Sequence, residues 1–87
     1  MTLPLLKDRL SENGFGDSII LENPDYITAV VGVSQDGQVI YDYEKMVDYL
    51  IDNEGMNTID AIEFIDYNTV RALDYMGEKH PLILYQL

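Results

Sequence analysis

The chain has 87 residues, 47% of them apolar, and carries 16 Asp and Glu against 5 Lys and Arg, for a net charge of −11. A chain this short makes one small domain, residues 1–87, burying about 60% of its unfolded surface, and its acidity argues against direct contact with nucleic-acid phosphates or anionic membranes, which rely on basic side chains. With no cysteine and only one histidine, His80, it has no disulfide, thiol nucleophile, zinc ribbon, iron–sulfur site or multi-histidine metal centre.

Leu3, Leu6 and Leu10 recur at helical spacing behind Thr2 as N-cap, with Pro4 in the first turn and Gly14 and Gly16 ending the helix. Ile19–Leu21 is a short apolar run closed by Asn23-Pro24-Asp25 and reads as a short strand. From Tyr26 the sequence runs YITAVVGV, SQDGQ, VIYDY, a β-hairpin turning at Asp36-Gly37. A two-residue loop would set Val31 opposite Asp42. A three-residue loop, with Gly37 in the left-handed bulge position, pairs Val33 with Val39 and Val31 with Tyr41. That register gathers Ile27, Ala29, Val31, Val33, Val39 and Tyr41 on one apolar face and is the one expected.

Asp42 is placed to cap the next helix, whose stripe is Tyr43, Met46, Val47, Leu50 and Ile51, and Gly55 stops it. Asn57 and Asp60 resemble a capping box for a further helix with the stripe Ile62, Ile65, Thr69, Ala72, Leu73 and Met76, ended by Gly77. Pro81 precedes the uncharged run LILYQL, a C-terminal strand. Strands cluster with strands and helices with helices, which predicts an α+β fold. The expected architecture is a small antiparallel sheet with a central β-hairpin and the C-terminal strand, and an N-terminal helix and an αα-hairpin packed on one face. No apolar run approaches the length of a membrane span, and Lys7 and Arg9 follow the first apolar residues, the wrong order for a signal peptide. The expected location is the cytoplasm.

Nine of the acids lie in residues 36–66 against Lys45 alone. Glu44, Asp48 and Asp52 follow at i, i+4 and i+8, an arrangement that weakly destabilises a helix, and Glu63 and Asp66 add to the polar side of the next. A rise of about 6 Å per step approaches the phosphate spacing of an extended strand. The functional reading is a surface that imitates nucleic acid and occupies a basic groove on another protein; the plainer one is a solvated face that keeps the protein soluble. Asp52 to Glu63 has the length of a calcium-binding loop, but Met56 and Asn57 stand where a ligand and a glycine are needed. Glu63 and Asp66 would need a pocket to divide acid and base roles, and a chain this short offers little volume for one. Arg71 reads as a local ion-pair partner of Asp74 or Glu78 near Tyr67, and His80 as a loop residue. Among seven tyrosines, Tyr49 and Tyr67 are the expected contact residues.

The phrases IYDYEKMV and AIEFIDYNTVRAL, within residues 17–86, resemble small acidic proteins encoded by prophages and mobile elements of Gram-positive gut bacteria. In size and charge the chain is also similar to phage anti-CRISPR proteins, several of which imitate DNA. The expected function is a non-enzymatic inhibitor or regulator without cofactor or metal. It would bind a protein with a basic, nucleic-acid-binding surface through Asp42, Glu44, Asp48, Tyr49, Asp52, Glu63, Asp66 and Tyr67. The alternative is a structural or assembly module forming a homo-oligomer through its apolar C-terminal edge strand, and a homodimer is left open.

Overall fold

A computed structural model describes residues 1–87. Helix α1 (Leu3–Glu12) opens on Thr2, whose hydroxyl accepts from the Leu5 N–H at 3.3 Å, and buries Leu6 and Leu10. At its end the Asn13 side-chain amide donates to the Arg9 carbonyl at 2.7 Å. Helices α2 (Tyr43–Glu54) and α3 (Thr58–Phe64) end on the same device: Asn53 donates to the Tyr49 carbonyl at 3.1 Å and Asn68 to the Phe64 carbonyl at 3.2 Å. Each asparagine side chain reaches back to the carbonyl four residues before it, and at α1 the Asn13 backbone N–H donates to the same carbonyl at 3.2 Å.

Strands β1 (Val30–Val33) and β2 (Val39–Asp42) form the expected antiparallel hairpin, with Val33 opposite Val39 and Gly37 at φ +83°. The register breaks at Val31, however. Val30, not Val31, sits opposite Tyr41, and Val31 is the extra, exposed residue of a β-bulge beside Gly32. Upstream, Ile27–Ala29 is a 3₁₀ turn rather than strand. The Asp25 carboxylate accepts from the Ile27 N–H at 3.0 Å, and this local turn prevails over the β propensity of Ile27 and Thr28. Ile19–Leu21 is likewise not a strand. The Ile19 N–H donates to the Lys79 carbonyl and the Leu21 N–H to the Tyr41 hydroxyl at 2.9 Å, so loop and side-chain partners replace a ladder.

The C-terminal strand β3 (Leu82–Leu84) pairs with β2 in parallel, Tyr41 opposite Ile83, giving a mixed sheet in the order β1-β2-β3 where an antiparallel one was expected. The helical excursion between β2 and β3 carries the chain back to the starting end of β2, so β3 enters in the same direction. The second half of the αα-hairpin is also interrupted: α3 passes into a π turn over Ile65–Thr69 and a 3₁₀ helix over Val70–Tyr75. The Asn68 side chain occupies the carbonyl that its own N–H would reach in a regular α-helix. Ala61, Ile65, Thr69 and Leu73, spaced by four, are the buried row, and Ile62 is left at the surface.

Tyr26, Val39, Tyr41, Met46, Leu50 and Ile65 are fully buried at the centre, joined by Leu6, Leu10, Leu21, Ala29, Val47 and Ala61. The hairpin turn is fastened from outside: Ser18 donates to the Gly37 carbonyl, the Lys79 ammonium to the Asp36 carbonyl, and the Gln38 side chain to the His80 carbonyl at 3.0 Å. No helix is long and apolar enough to cross a membrane.

Candidate functional site

Helix α2 begins where β2 ends, and Asp42 makes the junction. One carboxylate oxygen accepts from the Lys45 N–H at 3.0 Å and the other from the Gln86 side-chain amide at 2.6 Å. The residue is 1% exposed, and the Gln86 bond first, then the Lys45 amide, hold its carboxyl below the usual carboxylate range. Asp42 is therefore a cap, as expected, but it leaves the set of partner contacts, because both oxygens are spent inside the fold.

One turn further along, Glu44 and Asp48 are exposed. With Tyr43, Val47, Thr58 and Ile62 they line a groove of about 430 Å³ between α2 and α3. Its apolar surface comes from Tyr43 and Val47 on one helix and Ile62 on the other. The Tyr43 hydroxyl donates to the Asp66 carboxylate at 2.9 Å, bringing that acid to the groove's edge. Burial first, then the bond to Asp66 and its charge, push the Tyr43 hydroxyl up to about 12. The Tyr85 ring lies on Tyr43 with centroids 4.9 Å apart, so apolar surface extends toward the C-terminus.

The remaining expected residues are elsewhere. Asp52 is exposed on α2 but outside the groove; residues four apart drift by roughly 40° around a helix, so the third member of the series turns away. Glu63 and Tyr67 line a shallow depression on the opposite flank of α3 with Met56, Asp60, Phe64 and Asn68. The Arg71 guanidinium stands 4.6 Å from the Tyr67 ring centroid, a cation–π contact in place of the expected ion pair. Tyr49 is half-buried, its ring 5.5 Å from that of Tyr26, so part of it packs into the core, away from the groove. Thus Glu44, Asp48 and Asp66 come together, Glu63 and Tyr67 form a second flank, and no single strip runs across both helices.

Sequence reasoning missed the groove itself. It assigned Tyr43, Val47 and Ile62 wholly to the core and passed over Ile59, which is 69% exposed. An isoleucine off the stripe, three residues from another, was the available signal. The molecule's one ion pair is Lys7–Glu22 at 3.1 Å, so no carboxylate of α2 or α3 is paired with a cation. No three His, Asp or Glu side chains converge closely enough to hold a metal ion. No protein-family model matches the chain, and none of the curated proteins or solved structures compared with it matches.

Proposed function

We propose that this protein is a non-enzymatic, acidic inhibitor or regulator that docks on a basic, nucleic-acid-binding surface of another protein. The observation that carries the reading is the exposure of Glu44, Asp48, Asp52, Glu63 and Asp66 with no cation of the same chain paired to any of them. Like charges one turn apart cost their own helix a little stability, and together they attract a cationic partner over long range. Glu63 faces the depression beside Tyr67, whereas Asp66, in the π turn after α3, is held by the Tyr43 hydroxyl, a separation that favours binding over acid–base catalysis by this pair. A pull-down from bacterial lysate at low and high salt tests the reading. Capture is expected at low salt, falling steeply as salt rises and by roughly tenfold in the triple variant Glu44→Gln, Asp48→Asn, Asp52→Asn. Undiminished capture by the triple variant sinks it.

A second reading, an assembly module, draws support from the position of β3 at the sheet edge beside exposed Leu84, Tyr85 and Leu87. Sedimentation across a wide concentration range decides it: a monomer throughout removes this reading, and a dimer lost on Leu84→Lys establishes it.

A further inference from the structure

We infer that the groove between α2 and α3 is the seat for a cationic amphipathic helix of the partner protein, whose apolar face enters the groove while flanking Lys or Arg side chains meet Glu44, Asp48 and Asp66. This rests on the docking function proposed above and names the element recognised.

Three observations converge on that occupant. Ile62, which lines the groove, is 38% exposed, and Ile59, three residues before it on α3, is 69% exposed. Tyr85, 58% exposed, rests on Tyr43 and prolongs the same surface at the other end. A contiguous apolar patch bounded by polar groups marks an interaction surface. Its charged groups are all acidic: Glu44 and Asp48 line the groove beside the neutral Thr58, the Tyr43 hydroxyl bonds Asp66 next to it, and no Lys or Arg lies among the lining residues.

An uncharged apolar occupant would strip water from these carboxylates without replacing it, so the occupant brings cations. Nucleic acid brings the wrong sign. A second copy of this chain would set the same acids against one another under a net charge of −11 on each copy. A peptide that binds by adding a strand needs a free strand edge, which a trough between two helices does not supply. A third helix fits such a trough by ordinary side-chain packing.

The test uses the full ¹⁵N-labelled chain and two synthetic peptides of equal charge. Each has about 18 residues, enough to be helical. One carries leucines at i, i+3, i+4 and i+7 between arginines, and the other has serines in place of the leucines. The expected result is amide shifts centred on Tyr43, Val47, Thr58 and Ile62, and leucine-peptide binding roughly tenfold tighter than serine-peptide binding. In Ile62→Ser, a surface change whose folding the same spectra report, that preference should vanish. Equal binding of both peptides, with shifts spread over the acidic surface, overturns the groove inference and leaves charge-driven docking standing. Absence of binding by either at low salt overturns both. Shifts in the groove on concentrating the chain alone would give the seat to a second copy and overturn the inference.

Discussion

Gln86 donates its side-chain amide to the Asp42 carboxylate at 2.6 Å, tying the penultimate residue of the chain to the N-cap of α2. The neighbouring pair, Tyr85 on Tyr43, repeats the link between the same two segments. The segment after β3 thereby holds the first turn of α2, and with it Tyr43 and Glu44, in place.

Replacing Asp42 with Ala removes both bonds and should destabilise the protein by about 1–3 kcal/mol, a cap plus a charged hydrogen bond. Gln86→Ala should cost about 1 kcal/mol, and the double variant less than the sum, because the two residues share one bond. Urea denaturation measures all three.

The same carboxyl gives a pH dependence. Its proton affinity is lower folded than unfolded, so its contribution is complete above the ordinary carboxylate range and is lost as pH falls through the depressed folded value. Thermal melts should show stability declining below about pH 4, and a shallower decline in Asp42→Asn.

At alkaline pH the sign reverses. Tyr43, pushed up to about 12, binds its proton more tightly folded than unfolded, as do Tyr26, Tyr41 and Tyr49, each raised chiefly by burial. Stability should be complete below about pH 10 and fall toward pH 12, with tyrosinate absorbance rising as the protein unfolds. Tyr43→Phe should soften that fall at a cost of about 1 kcal/mol near neutrality.

The Tyr26 hydroxyl is buried beside Thr69, close enough to interact with it but without a well-formed hydrogen bond. Tyr26→Phe removes a poorly partnered buried polar atom and keeps the ring against Tyr49, so it should be neutral or stabilising by up to about 1 kcal/mol. A clear loss of stability on calorimetry would contradict this.

Gly37 holds φ +83°, and a Cβ there would meet the Lys79 ammonium at 3.2 Å and the Phe15 ring at 3.3 Å. Gly37→Ala should cost about 1–2 kcal/mol. Gly32→Ala, with nothing within 4 Å of its Cβ, should change stability by less than about 0.5 kcal/mol. Denaturant midpoints compare the two.

What the sequence made legible was local. Thr2, Asp42 and Asn57 cap the helices they were expected to cap, since a cap is decided within three residues. Gly37 turns the hairpin for the same reason. What escaped was decided by distant partners: Tyr41 takes the Leu21 N–H and removes a strand, and β3 reaches β2 only after two helices have set its direction. The site divides along the same line. Its carboxylates were plain in the sequence, but Asp42 was withdrawn by a residue 44 positions away, and the groove exists only because α3 brings Ile62 beside Val47.

Calorimetric titration of the leucine–arginine peptide into wild type and into Glu44→Gln, Asp48→Asn at several salt concentrations bears most directly on the account. Affinity should fall steeply with salt in the wild type and lie roughly tenfold lower, with a flatter salt slope, in the variant. Equal affinity in both proteins, indifferent to salt, would contradict it.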